Sequence, residues 1–240
     1  MLPRYKLRSI HKKSLLGFTE PVSCSLGAIL KCDNLGSPYC VYNELVAVRL
    51  AQTIHIPVAT GVLTEAESRD GYASIELAMP GLRLPDLLPT QFAAAKSRYP
   101  DEAVALMLFD IFIGNWDRGS NLKASFVNPS YSIFQGFDHE HALLGVESDP
   151  LESIRILGGK DLIVKDHPFY GRLDSRIEIN WLKRFSAIDD AMVHECCELG
   201  HPLGSVTVDM QRSLAEALCK RKDNLREIVV KNTSHIHQLT

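Results

Sequence analysis

The sequence lacks a long uninterrupted apolar run. Its most apolar stretch, residues 104–113, is broken by Asp110, well short of the roughly 18 to 20 apolar residues that a membrane helix needs. We also expect no signal peptide, because the basic start is followed by residues 14–19 and not by an apolar core. We therefore expect a protein without a membrane span that stays in the cytoplasm.

Cysteine pairs and a strong charge of one sign are missing as well. The six cysteines include no CxxC, and the adjacent Cys196 and Cys197 suit neither a disulfide framework nor a zinc knuckle. We interpret them as reduced thiols. The net charge is only −3, which argues against a partner nucleic acid held by bulk electrostatics, although the first residues are basic.

The amino-acid composition is that of a folded globular protein. The chain has 240 residues, 45% of them apolar and 23% charged, which suits one domain with two lobes. Prolines and glycines are concentrated in residues 79–89, and this density predicts a hinge. We predict one domain over residues 1–240, with a small lobe over about 1–79 and a larger lobe over about 90–240.

The small lobe is predicted to contain strands and one helix. Residues 28–30 indicate a buried strand that ends on Lys31. Apolar residues at helical spacing predict a helix over residues 41–54, with Glu44 in its first turn. Two more strands are expected over residues 57–63 and 72–78.

The larger lobe is predicted to be mainly helical, so the fold class is α+β. A buried central helix is expected over residues 101–114, and a hairpin over residues 121–138. Two long helices should follow, one over about 178–199 and one from about 207 to 231. We expect Trp116 and Trp181 to be core residues.

Two polar loops lie at the ends of the predicted hairpin and can meet there. Asp117 and Asn121 belong to the first loop and Asp138 to the second. Clustered oxygens of this kind suit Mg²⁺, which binds one or two carboxylates together with phosphates. Phosphoryl transfer also needs a cation on the phosphates, and Lys31 with Glu44 supplies such a pair.

These residues together resemble a family. Lys31, the helix segment 42–45, the loop 115–118 and the turn 137–139 are similar to a HipA-like kinase domain, and the similarity covers about residues 17–144. That family has a protein-kinase-like fold related to the phosphatidylinositol kinases. The resemblance implies a bilobal fold with a small β-rich N-lobe and a mainly helical C-lobe.

The resemblance also implies cofactors and roles. ATP and Mg²⁺ would bind in the cleft, and the acceptor would be a hydroxyl, foremost a serine or threonine of an unknown protein substrate or of the chain itself. The implied roles are phosphate contact by Lys31, orientation of Lys31 by Glu44, base catalysis by Asp117, magnesium binding by Asn121 and Asp138, and adenine contact by the backbone of Glu76, Leu77 and Ala78.

Other interpretations stay open at this point. Asp117 and Asn121 are closer in sequence than the usual kinase pair, which permits a pseudokinase that binds nucleotide or protein without efficient transfer. A lipid or small-molecule kinase would use the same cleft chemistry. His139 and His141 could instead be zinc ligands, and residues 194–198 partly match the zinc-protease pattern.

Overall fold

The computed structural model describes residues 9–14, 22–25, 28–66, 69–75, 86–126, 134–171 and 174–237, the first two ranges by their backbone. The strands are β1 (Ser9–Ser14), β2 (Val22–Ser25), β3 (Ile29–Lys31), β4 (Thr60–Ala66), β5 (Arg69–Ile75), β6 (Leu122–Ala124) and β7 (Phe134–Gly136). The helices are α1 (Cys40–Ile54), α2 (Phe92–Arg98), α3 (Pro100–Ile113), α4 (Pro150–Leu157), α5 (Ser175–Ser186), α6 (Asp190–Cys197), α7 (Val208–Lys231) and α8 (Thr233–Ile236).

The strands form three small antiparallel sheets, with orders β1-β2, β3-β5-β4 and β6-β7. In the second sheet Lys31 is opposite Tyr72, whose side chain is buried. The expected burial of the strand at residues 28–30 is wrong, since Ile29 is 46% and Leu30 50% exposed. The reason is that, among the strands of the described ranges, the short β3 pairs with β5 alone.

Helix α1 packs against the second sheet, contacting both β4 and β5. Asp33 fixes its start, because the Asp33 Oδ1 atom accepts a hydrogen bond of 2.9 Å from the backbone N–H of Val41. The helix predicted over 41–54 is confirmed, but it begins at Cys40. Glu44 therefore lies in the second turn and not in the first, and its side chain is buried.

Helix α3 is the central helix that the sequence predicts. Pro100 opens it, Asp101 and Glu102 occupy its first turn, and every residue from 103 to 113 is buried. It stops at Gly114, which adopts a left-handed conformation with φ 74°. A Cβ atom on Gly114 would lie 2.8 Å from the Cγ2 atom of Val146. The positive φ and the lack of space for a Cβ atom both require glycine at this position. After Gly114 the chain leaves the helix and enters the first polar loop.

The single helix predicted over 178–199 is wrong, because the chain forms α5 and then α6. Asp189 starts the second helix by accepting a hydrogen bond of 3.0 Å from the N–H of Ala191. The last long helix is confirmed as α7, with Thr207 as its N-cap. Helices α2, α4 and α8 were not predicted.

One hydrophobic cluster contains residues of α1, α3, α5, α6 and α7. Trp181 belongs to it, as expected, whereas Trp116 is 48% exposed. The prediction for Trp116 is wrong because this residue lies in the loop after α3, where its ring stacks on His141. Residues 76–85 lie outside the described ranges, so the division into lobes at 79–89 stays a prediction. No helix among the residues described is long and apolar enough to cross a membrane.

Candidate active site

The ammonium group of Lys31 lies between two carboxylates that come from different parts of the chain. Its Nζ atom is 2.6 Å from Glu44 Oε1 and 2.9 Å from Asp138 Oδ1. Burial lowers the pKa of Lys31, but both carboxylates raise it, and the pKa ends above its ordinary value. Three predicted site residues therefore meet at one charged centre that joins β3, α1 and the loop after β7.

Glu44 is held by more than the lysine. Its Oε1 atom accepts a hydrogen bond of 2.8 Å from the backbone N–H of His139, and its Oε2 atom is 3.2 Å from His139 Nδ1. Burial raises the pKa of Glu44, but His139 and Lys31 outweigh burial and hold the pKa well below its usual range. The carboxylate is therefore charged at neutral pH and fixed in position.

The loop after β7 presents Asp138 in an uncommon backbone conformation. Asp138 has φ 62°, which aspartate tolerates better than most side chains. Asn43 fastens this loop to α1, because its amide group donates to Glu140 O at 3.0 Å and accepts from the N–H of Leu144 at 3.3 Å. Helix α1 thus positions both Glu44 and the loop that carries Asp138.

Asp117 and Asn121 are in contact in the loop between α3 and β6. The amide Nδ2 of Asn121 donates to the carbonyl oxygen of Asp117 at 2.7 Å and lies 3.4 Å from its carboxylate Oδ2. This contact uses the amide nitrogen of Asn121, and the amide oxygen is the atom of this side chain that could bind a metal ion. Both side chains are half-buried.

Arg118 joins the two polar loops to each other. The buried guanidinium donates through Nη1 to Asn121 O at 3.1 Å and to Phe137 O at 2.5 Å. The same group forms a two-point ion pair with Asp110, with Nε to Oδ2 at 2.8 Å and Nη2 to Oδ1 at 2.9 Å. This side chain therefore braces the Asp117 loop against the Asp138 loop, beside the backbone hydrogen bond of 3.1 Å from the N–H of Phe137 to Asn121 O.

Asp110 is the buried anchor of this arrangement. Besides Arg118 it binds Asn115 Nδ2 at 3.0 Å and His167 Nε2 at 3.0 Å. Burial raises the pKa of Asp110, but Arg118 and His167 outweigh burial and lower the pKa below its ordinary range. The sequence signal for Asp110 was a lone acid inside an apolar run, which needs a buried partner.

Sequence reasoning did not assign the other positioning residues. Asn43 and Arg118 stood within the segments that carried the family resemblance, but no role was given to them. His167 had no signal, since its partner Asp110 lies far away in the sequence. The residues predicted for adenine contact, Glu76, Leu77 and Ala78, lie outside the residues that the structure describes.

The oxygen atoms that Asp138 and Asn121 offer suit magnesium better than zinc. A carboxylate oxygen and an amide oxygen are hard ligands, and magnesium needs few of them when phosphates are present. Within the described ranges no group of three or more His, Cys, Asp or Glu side chains could hold a metal. His139 contacts Glu44, His141 stacks on Trp116, and His194 Nδ1 is 2.7 Å from Glu198 Oε1. The zinc alternatives therefore have no ligand set there.

Two solved structures share this architecture. The proinflammatory kinase CtkA of Helicobacter pylori matches with a TM-score of 0.61 and 15% identity over 92% of this chain and 96% of that chain. The chain has the fold of the HipA-like kinases. HipA of Shewanella oneidensis MR-1, from a toxin–antitoxin system solved with HipB and operator DNA, matches with a TM-score of 0.56 and 15% identity.

That second match covers 87% of this chain and 61% of the HipA chain, so this chain spans less than two thirds of HipA. The sequence matches no protein-family model and no curated protein. The HipA-like fold is thus established by the three-dimensional arrangement and not by sequence identity. The strands, the helices and the mainly helical body agree with the fold that the resemblance implied.

Proposed function

We propose that the chain is an ATP- and Mg²⁺-dependent kinase that transfers the terminal phosphoryl group of ATP to a serine or threonine hydroxyl of a protein. The observation that carries the proposal is the position of the Lys31 ammonium between Glu44 and Asp138. Phosphoryl transfer needs a fixed cation on the phosphates beside an acid that binds metal. The likeness to CtkA, which is itself a kinase, supports the same reaction class.

On the nucleotide side, Lys31 would contact the phosphates while Glu44 keeps its ammonium in place. Asp138 and the amide oxygen of Asn121 would hold Mg²⁺, which when bound neutralises charge on the phosphates. Ile29 is on the same face of β3 as Lys31, because side chains alternate along a strand. Its 46% exposed side chain offers apolar surface for the adenine, beside the predicted backbone contacts of Glu76, Leu77 and Ala78.

On the acceptor side, Asp117 would accept the proton of the attacking hydroxyl. The hydroxyl oxygen forms a bond to the terminal phosphorus, the bond from that phosphorus to the bridging oxygen breaks, and ADP leaves with the bridging electrons. Asn121 orients Asp117 through its amide nitrogen. Arg118 keeps this base at a fixed distance from the Asp138 loop.

The proposal is tested by unfolding the protein thermally with and without ATP and Mg²⁺. Free ligand at about a hundred times its dissociation constant should stabilise the wild type by about 2.7 kcal/mol. Asp138→Asn should lose the magnesium-dependent part of this gain. The control Asp209→Asn removes an acid whose side chain is 93% exposed and should keep it.

Intact mass after incubation with ATP and candidate proteins separates a kinase from a nucleotide-binding module. Added phosphate on the chain or on a substrate is expected for the wild type. Asp117→Ala should abolish the added mass while it leaves nucleotide stabilisation in place. Absence of stabilisation by any nucleotide would contradict the proposed function, and stabilisation without transfer would favour the pseudokinase.

A further inference from the structure

A cavity of about 760 Å³ lies directly beside Asp117. Its walls come from four parts of the chain, namely residues 89–96 before α3, the Asp117 loop, residues 165–171, and His235 of α8. The volume falls in the range of specific ligand sites. Since Asp117 lines this cavity, a hydroxyl bound inside it can reach the proposed base.

Two lysines give one side of the cavity a positive charge. Lys96 is half-buried, and its Nζ atom donates to the backbone oxygen of Tyr170 at 3.3 Å. Burial lowers the pKa of Lys96, and no carboxylate of the described ranges forms an ion pair with Lys96 or Lys165. The backbone oxygen of Lys165 is held by His235 Nε2 at 2.6 Å. Lys165 is exposed and the Lys96 ammonium contacts a neutral carbonyl oxygen, so both cations can bind an anionic group.

The acids of the cavity equal the lysines in number, but they do not pair with them in the part of the chain that the structure describes. Asp117 and Asp166 also line it, but Asp117 is the group that would face the reacting hydroxyl. Asp166 is exposed and forms no ion pair with the lysines in the part of the chain that the structure describes. Apart from the proposed base, two lysines therefore oppose one acid.

Trp116 connects this cavity to a second one of about 300 Å³, because its side chain lines both. The ring is 48% exposed and stacks on His141 with the centroids 4.8 Å apart. The second cavity carries the opposite charge, from Glu140 and Glu147. An extended chain that advances about 3.3 Å per residue can cross the ring and enter both cavities, whereas a small molecule would occupy one.

We infer that the phosphoacceptor is an extended polypeptide that crosses Trp116 and carries an acidic side chain close to its hydroxyl residue. The acid lies between Lys96 and Lys165, and the hydroxyl faces Asp117. This inference rests on the proposed function, and it adds the class of substrate. Glutamate, aspartate and phosphoserine share the recognised chemistry, and glutamate is the probe used below.

Binding is measured without catalysis by using Trp116 as the reporter. The chain has two tryptophans, so Trp181→Phe leaves Trp116 alone. The probes are nine-residue peptides with alanine at the acceptor position and either glutamate or lysine two positions before or after it. The better of the two glutamate peptides should change the fluorescence and bind about fivefold tighter than its lysine counterpart, the order expected for a partly exposed ion pair.

Charge reversal makes the test specific. Lys96→Glu should reverse the preference, so that the lysine peptide binds more tightly. The matched control Lys220→Glu makes the same charge change on an exposed residue of α7 that lines neither cavity, and it should keep the preference for glutamate. The preference of the wild type should also weaken at high salt.

Serine versions of the same peptides, tested with ATP and Mg²⁺, separate the inference from the proposed function. Equal binding and equal phosphorylation of the glutamate and lysine peptides would overturn the inference and leave the kinase in place. Glutamate preference that Lys96→Glu reverses, without any stabilisation by nucleotide, would support the peptide site and refute the kinase. Preference for glutamate that Lys96→Glu does not change would overturn the placement of the acid.

Discussion

At the scale of single residues, Asp110 and Arg118 decide how the two polar loops meet. Asp110 is a charged side chain in the most apolar helix of the chain, and both residues are fully buried. The charge is tolerated because Arg118, Asn115 and His167 all bind it. His167 donates through Nε2, since its Nδ1 accepts from the backbone N–H of Phe169 at 3.2 Å. The network leaves neither charge without a partner.

Asp110→Asn should lower the free energy of unfolding by about 3–5 kcal/mol at pH 7, because it leaves the Arg118 guanidinium buried without its counter-ion. Asp209→Asn, on the exposed side of α7, should change it by less than about 0.5 kcal/mol. Urea unfolding of both variants and the wild type measures the difference.

The pH dependence of this difference follows from the lowered pKa of Asp110. The unfolded chain takes up the proton near the ordinary aspartate pKa of about 3.9, before the folded protein does. The contribution of Asp110 is therefore fully present above that pH and is lost as the pH falls towards the folded pKa. The difference in the free energy of unfolding between the wild type and Asp110→Asn should therefore become smaller from pH 7 to pH 3. A difference that stays constant would contradict the charge assigned to Asp110.

At the scale of elements, the end of α3 matters most, because it delivers the Asp117 loop. Gly114 ends the helix with a positive φ, and a Cβ atom there would lie 2.8 Å from the Cγ2 atom of Val146. Gly200 also has a positive φ of 76°, but a Cβ atom there would meet nothing within 4 Å. Gly119 has open space and no positive φ. Comparing these three glycines therefore distinguishes the cost of a left-handed backbone from the cost of steric overlap.

Alanine at these three glycines should give three different stabilities. Gly114→Ala should cost about 2 kcal/mol or more, since left-handed strain and overlap add. Gly200→Ala should cost about 1 kcal/mol from strain alone, and Gly119→Ala less than about 0.5 kcal/mol. Thermal or urea unfolding checks this order, and a loss at Gly119 equal to that at Gly114 would contradict it.

The elements also show how far sequence reasoning reaches. Helices α1, α3 and α7 were predicted because their apolar residues recur at helical spacing over many turns. The break between α5 and α6 was missed because apolar residues continue through it, and a capping Asp189 looks like any exposed acid. The short helices α2 and α4 offer too few turns for a periodic signal.

The same limit applies to the site. Lys31 and Glu44 could be paired from sequence, since Lys31 ends a predicted strand and Glu44 lies near the start of the next predicted helix. Asp138 was grouped with Asp117 and Asn121, and its ion pair with Lys31 was not predicted. Arg118 could not be assigned, because two of its contacts are backbone carbonyl oxygens that carry no side-chain signal. Asn43 was missed for a similar reason, since it bonds the backbone of a distant loop.

At the scale of the whole molecule, one hydrophobic cluster includes α1 together with the helices of the C-terminal part. Tyr42 of α1 adds a hydrogen bond of 2.9 Å from its hydroxyl to Cys197 O of α6. The Lys31 centre joins β3 and α1 to the loop after β7. Separate unfolding of the N-terminal sheet and α1 would therefore expose part of the common core.

We expect a single cooperative unfolding transition. Far-UV circular dichroism reports the helices of the whole chain, and in Trp116→Phe the remaining fluorescence reports Trp181 in the core. The two probes should give the same urea midpoint, as a two-state transition requires. Two separated midpoints would contradict the common core.

Arg118 has one further consequence. It recognises the loops at positions 121 and 137 through their peptide oxygens, which every amino acid carries. This contact therefore does not depend on which side chains stand at those positions, and substitutions at the exposed loop positions leave it in place. A protein engineer could therefore randomise the exposed residues of both loops and retain their anchoring, provided that Arg118, Asp110 and Asn43 are kept.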